Sequence, residues 1–325
     1  MLTISFNMTS QTGNTSYGTN ALSNNIGDYN TAFGYQSLEN NSSGGYNTAL
    51  GVSALRSITT GDANTGIGSF ALYYNTQGLW NVGVGYYSLF ANTGSGNTAV
   101  GFRSMMDNTT GGDNSAFGFH SLAHNTEGDY NTGVGRRALY SNTTGSDNVA
   151  VGDYALNNNL TGNYNVAIGR YAETSSNSST NQTVIGYQAT GQADNSVVLG
   201  NSDVTAVYMA EDSGATIYAG NATFNGDVVI QSDARLKSNI VSLGATLHKL
   251  LQIDGKSYEM KGRQKIGVLA QEIQEVFPEL VTKDGDEMLA VNYQGLVPVL
   301  INGLKEQQKE IDELRELVQK LVNRK

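Results

Sequence analysis

Apolar and polar positions recur with a fixed beat from residue 14 to residue 200. A glycine marks each repeat, at Gly18, Gly34, Gly51, Gly68, Gly85, Gly101, Gly118, Gly135, Gly152, Gly169, Gly186 and Gly200, with spacings of 16 or 17 residues and a last step of 14. The residue before it is always apolar, from Tyr17 and Phe33 to Ile185 and Leu199, and a second apolar residue follows four positions after it, from Leu22 and Leu38 to Leu139 and Leu156. Between them, three after the glycine, stands Ala or Ser, and four before the glycine stands an asparagine, from Asn14 to Asn165. A short fixed period means stacked supersecondary units, none of which can bury its apolar face alone.

The two apolar ladders form the expected core, and the Ala/Ser position is one where only a small side chain fits. Asparagine and glycine supply positive-φ corners, and stacked Asn side chains hydrogen-bond along the axis. Helices are disfavoured, because each interior glycine costs about 1 kcal/mol relative to alanine. The pattern predicts short strand, corner, short strand, corner. The fold class is therefore mainly β: a parallel β-solenoid or β-roll of about 12 coils over residues 1–200, on the order of 55 Å long at about 4.8 Å per stacked strand. A coil of 17 residues encloses little volume, so the expectation includes a face buried against neighbouring chains.

After residue 200 the beat stops. Residues 201–231 break into alternating segments such as V-T-A-V-Y-M-A and D-V-V-I-Q, whose period of two predicts a β-rich neck. Beyond Ser232 charges become frequent, glycine thins and both prolines, Pro278 and Pro298, appear, which sets a boundary at 231/232. Gln271 to Val276 reads as a short amphipathic helix ending near Pro278. In residues 296–325 Val297, Leu304, Ile311 and Val318 fall at a and Leu300, Gln307, Leu314 and Leu321 at d of a heptad, which predicts a coiled coil. β-branched residues at a with leucine at d by themselves favour two strands.

Charge divides the chain at the same boundary. Residues 1–231 carry 5 Lys+Arg against 15 Asp+Glu, whereas residues 232–325 carry 14 of each, so the whole net charge of −10 sits in the first part. Such a surface repels phosphate backbones, and no nucleic-acid partner is expected. Cysteine is absent, which excludes disulfides, thiolate metal sites and a cysteine nucleophile, and His120, His124 and His248 are too scattered to form a ligand cluster. No metal and no cofactor is expected. The opening M-L-T-I-S-F-N-M-T lacks the layout of a secretion signal, and no run has the roughly 18 apolar residues of a membrane span, so no membrane insertion is expected. Gly66-Ile-Gly68 and Gly83-Val-Gly85 mimic a phosphate loop but fall within the repeat register.

The repeat resembles the N-S-V-A-I-G unit of trimeric adhesin heads, the left-handed β-roll of YadA-like proteins, although its period is longer. After the boundary four blocks occur in order: S-D-A-R-L-K-S-N-I (Ser232 to Ile240), G-K-S-Y-E-M (Gly255 to Met260), G-V-L-A-Q-E-I-Q-E-V-F-P-E-L-V (Gly267 to Val281) and V-N-Y-Q-G-L-V-P-V-L-I-N-G-L-K-E (Val291 to Glu306). Together they resemble the intramolecular chaperone of phage tail spikes and fibres, the peptidase S74 family, over residues 232–325. The resemblance implies a small α+β chaperone domain at 232–295 and a trimeric coiled coil at 296–325. It also implies cleavage between Gln231 and Ser232, with Ser232 as nucleophile and Lys237 as its base. A hydroxyl needs such a base, and a lysine serves once burial lowers its pKa. Asp233, Arg235 and Asn239 are expected to shape the loop, with His248 as the alternative base.

The function expected on these grounds is a homotrimeric phage tail fibre, a receptor-binding virion protein assembled in the host cytoplasm. Its partners would be other tail proteins and a cell-surface receptor, a glycan, for which Tyr73, Tyr74, Trp80, Tyr86 and Tyr87 are candidate stacking residues. Two alternatives are a bacterial trimeric surface adhesin and a glycan-degrading tail spike. The first requires a secretion signal and a membrane barrel; the second requires facing carboxylates, whereas Asp28, Asp62, Asp113, Asp129 and Asp147 occupy corners.

Overall fold

A computed structural model describes residues 12–209, 222, 232–260, 262–283 and 287–323. The chain divides into two compact units, Met1–Ile217 and Tyr218–Lys325.

The first unit is a parallel β-solenoid. Its 12-stranded sheet runs from β1 (Thr15–Tyr17) to β12 (Ser196–Leu199) with every strand beside its sequence neighbours. Equivalent repeat positions pair, as in Thr31 with Thr48, Ala32 with Ala49 and Phe33 with Leu50. Each coil contributes one strand rather than the expected two. The reason lies just after the glycine, where left-handed residues such as Phe70 (φ 60°) and Leu72 (φ 54°) curl the backbone too tightly for a second ladder.

Only one of the expected apolar ladders is interior. A three-residue strand turns its middle side chain inward and both end side chains outward. Ala32, Ala49, Ala99 and Ala116 are thus fully buried, while Phe33 is 38% and Leu50 50% exposed. The column of residues preceding the glycine forms the outside of the sheet. The second ladder is the core as expected, with Leu38, Leu55, Leu72, Leu89, Met105 and Leu122 fully buried. These side chains fill the coil so completely that a Cβ on Gly66 would stand 3.2 Å from Leu55. Left-handed backbone costs a leucine about 1–2 kcal/mol, which burying its side chain, at about 1.5–3 kcal/mol, offsets.

The repeat glycine is dictated twice. Gly85 has φ +134°, and a Cβ there would meet the Gly101 carbonyl oxygen of the next coil. The asparagines have a different task from the expected corner. The left-handed residue is the one before them, as in Tyr46 (φ 59°) and Trp80 (φ 57°), while the Asn itself is buried and bonded along the axis. Asn64 is fully buried: its N–H and Nδ2 donate to Asn47 Oδ1 at 2.9 and 3.1 Å, and Nδ2 also donates to the Gly78 carbonyl at 2.8 Å. A second asparagine ladder stands seven after the glycine. There Asn125 Nδ2 donates to Asn108 Oδ1 and Asn142 Nδ2 to Asn125 Oδ1, both at 2.7 Å, and Ile58 interrupts the series.

The second unit is small and mixed. It contains α1 (Leu247–Leu250), the antiparallel hairpin β13 (Lys256–Met260) and β14 (Arg263–Gly267), α2 (Ala270–Val276), the antiparallel pair β15 (Val281–Lys283) and β16 (Leu289–Val291), and α3 (Leu296–Val322). Ile273, Val276, Phe277, Leu280 and Val299 form its core. Helix α2 ends at Val276, near Pro278 as its sequence predicts, with Phe277 as its cap and Pro278 opening a 3-10 turn. The start of α3 is held against α1, whose first N–H group, on Leu247, donates to the Glu306 carboxylate at 3.1 Å. Beyond that, the heptad positions Leu304, Ile311, Leu314, Val318 and Leu321 are exposed. Residues 201–209 carry no strand; most of the expected β-rich neck, and Gln231, lie outside the described residues.

Candidate functional site

The site expected from the sequence is built by one turn. Asp233 caps the 3-10 turn Ala234–Leu236, its Oδ1 accepting the Arg235 N–H at 2.8 Å. The Arg235 guanidinium closes onto the same carboxylate, with Nη2 to Oδ2 at 2.6 Å, and these bonds hold the Asp233 carboxyl below the usual carboxylate range. Asn239, at φ 52°, turns the chain again. Within this loop the side chain of Lys237 reaches back five residues, and its Nζ donates to Ser232 Oγ at 2.6 Å.

A hydroxyl and an amine at that distance have the geometry of a nucleophile and its base. An open recess of about 580 Å³ lined by Ser232, Asp233, Arg235 and Leu236 adjoins them. Both Ser232 and Lys237 are exposed in the single chain. An amine accepts a proton only in its neutral form, which water disfavours. His248 stands in α1, within electrostatic reach of Glu306. Glu306 closes the fourth sequence block, but its role there had no local signal, because the N–H groups it binds, on Thr246 and Leu247, lie 60 and 59 residues away.

On the solenoid, Tyr73, Tyr74, Tyr86 and Tyr87 share one edge, where Tyr73 stacks on Phe90 and Tyr86 on Phe102 with centroids 5.4 and 5.6 Å apart. Trp80 stands apart from them and is exposed. The corner carboxylates bind backbone instead of facing one another: Asp62 accepts the Gly45 N–H and Asp129 the Gly112 N–H, each at 2.6 Å. Among the described residues there is no group of three or more His, Asp or Glu placed to hold a metal, and no helix long and apolar enough to cross a membrane. The 17-residue period also lines up Arg103, His120 and Arg137 on the tyrosine edge, a column that reading each residue type separately does not reveal.

Comparison with known proteins places this loop at the start of a family match. Residues 232–282 match the family described as chaperone of endosialidase, peptidase S74, and the match begins at Ser232. The chain is also similar to long tail fibre proteins Gp37. It is 31% identical over 137 residues to that of Enterobacteria phage Ox2, covering 38% of this chain and 53% of the relative. For Enterobacteria phage M1 the figures are 32% over 122 residues, 34% and 48%, and for Escherichia phage AR1 34% over 115 residues, 29% and 10%. The similarity therefore spans about half of these relatives or less. Residues 232–282 thus match the chaperone-of-endosialidase family, and the chain that carries them resembles phage long tail fibre proteins.

Proposed function

We propose that this chain is a homotrimeric phage tail fibre segment that meets a cell-surface receptor, and that the residues from Ser232 onward guide its assembly and then cut themselves away. The observation that carries the proteolytic part is the 2.6 Å hydrogen bond from Lys237 Nζ to Ser232 Oγ at the first residue of the family match. In this reading Lys237, once neutral, takes the Oγ proton, and Oγ attacks the carbonyl carbon of Gln231. The lysine then returns a proton to the leaving amide nitrogen, so the peptide bond breaks as an ester forms. Water hydrolyses the ester, leaving a carboxylate on Gln231 and a free α-amine on Ser232.

Two exposed surfaces support the trimer. The outer face of the solenoid sheet carries Thr, Ser or Val at one column and only apolar residues at the other, with no charge on any of 12 rungs. At about 4.8 Å per rung this is a stripe roughly 55 Å long, larger than the apolar patches monomers ordinarily expose. The a and d residues of α3 form the second surface. Packing three chains around both would also draw water away from the loop of Ser232 and Lys237, which couples cutting to correct assembly. Such a protein is a virion component assembled in the infected cell.

On a denaturing gel the wild-type protein should run as fragments of 231 and 94 residues (325 − 231 = 94), and Ser232→Ala and Lys237→Ala should each run whole. A Lys237→Ala protein that cuts as fast as wild type would remove lysine from the chemistry.

A further inference from the structure

The first 231 residues contain five cationic side chains, all arginines, at positions one, two or five after the repeat glycine. Contacts with the aromatic edge connect them. Arg56 lies over Tyr73, Arg103 over Phe102 and Tyr87, Arg137 over Tyr140 and Tyr154, and Arg170 over Tyr171. In a part of the chain with three times as many acids as bases, this edge is where the positive charge is gathered.

Three of the five are neutralised internally, Arg56 by Glu39 at 2.7 Å and both Arg136 and Arg170 by Asp153 at 2.8 and 3.5 Å. Arg103 and Arg137 form no ion pair among the described residues. They occupy the same position in coils two apart, and His120 stands between them at that position in the intervening coil, so the three groups follow one another at about 4.8 Å per coil. His120 Nδ1 and Arg103 Nε are both buried without a hydrogen-bond partner. Burial and the charges of Arg103 and Arg137 press the His120 pKa below its ordinary value; His124 adds to this and Asp107 opposes it. Asp107 is already engaged, its Oδ2 lying 2.7 Å from His124 Nδ1.

Beside this column Phe102 and Phe119 are stacked at 5.3 Å with an 8° angle between their planes, 40% and 46% exposed. Unpaired guanidinium groups suit carboxylate, sulfate or phosphate oxygens, and coplanar exposed rings suit the apolar faces of sugars. We infer that the edge formed by Arg103, His120, Arg137, Phe102 and Phe119 binds an acidic saccharide, its anionic group on the arginine–histidine column and a sugar face on the phenylalanines. This rests on the reading of the solenoid as a receptor-binding surface and names the ligand class.

The test uses purified full-length protein titrated calorimetrically with a short heparin oligosaccharide, an oligogalacturonate, a dextran oligosaccharide and a DNA oligonucleotide. Either acidic saccharide, or both, should bind and dextran and DNA should bind far more weakly, with Arg103→Ala and Arg137→Ala each weakening saccharide binding by about tenfold or more. Arg136→Ala, whose guanidinium is paired with Asp153, should keep wild-type affinity. Independently, inorganic sulfate should raise the His120 pKa followed by NMR in the wild type and leave it unmoved in the Arg103→Ala/Arg137→Ala double variant. The inference is overturned if neither acidic saccharide binds, if DNA binds as tightly, if the two arginine variants bind like wild type, or if sulfate leaves His120 unchanged. Cutting at Gln231–Ser232 in the same preparations, read on a gel, reports on fibre maturation separately, so protein that cuts normally but binds nothing defeats this inference alone.

Discussion

Asn125 is the sharpest place to test how the solenoid is held together. It is fully buried, its Nδ2 donates to Asn108 Oδ1 at 2.7 Å and to the Gly128 carbonyl at 2.9 Å, and its Oδ1 accepts from Asn142 Nδ2 at 2.7 Å. Asn125→Ala removes all three bonds and strands the buried Asn108 Oδ1 of the preceding coil, whereas the Gly128 carbonyl keeps Asn114 Nδ2 and Asn142 Nδ2 keeps the Gly145 carbonyl, each at 2.8 Å. A buried polar group stranded in this way costs about 1–3 kcal/mol, so the loss should be about 1–3 kcal/mol, which exceeds the half kcal/mol or so of an ordinary surface substitution. Urea unfolding followed by Trp80 fluorescence, in an uncleaved Ser232→Ala background, measures it against Asn24→Ala, whose side chain is exposed. If Asn125→Ala unfolds at the same urea concentration as Asn24→Ala, the asparagine ladder is not what fixes one coil on the next.

Three further outcomes follow from the same geometry. Gly85→Ala places a Cβ against the Gly101 carbonyl and forces a left-handed φ on alanine, so it should yield insoluble or protease-sensitive protein, whereas a soluble variant with wild-type circular dichroism would refute the stacking argument. Burial raises the Glu173 carboxyl to about 7; because the folded pKa is the higher one, this residue's contribution is complete below the unfolded value near 4.5 and is lost as pH rises through about 7. Glu173→Gln should therefore raise the thermal midpoint at pH 8 relative to wild type and change it little at pH 4, and equal shifts at both would contradict this. Leu314→Lys puts charge at an exposed d position of α3 and should lower the mass measured by light scattering from trimer toward monomer; an unchanged trimer would remove the coiled coil from assembly.

Much of this was legible because a fold with a short period repeats each physical constraint a dozen times. The glycines at one register, the leucines four beyond and the asparagines four before were enough to give a parallel solenoid. The inside and outside of the strand were not, since Ala32 and Phe33 both fit an apolar reading and only the three-residue strand length decides that the smaller one faces inward. The asparagine ladder containing Asn125 shared the same period and was within reach; Ile58 and the varied residues around it hide it from a motif-based alignment. In the second unit, the approach of Lys237 to Ser232 followed from a short loop with a capping Asp233. The grip of Glu306 on Leu247 came from tertiary packing over 59 residues, which leaves no local signature.

Intact-mass spectrometry of freshly purified wild-type protein tests the central claim most directly. Two species are expected, one of them a 94-residue fragment (325 − 231 = 94) whose mass and free α-amine fix its first residue as Ser232. One undivided species of 34.6 kDa that persists after the protein has assembled into trimers would contradict the account.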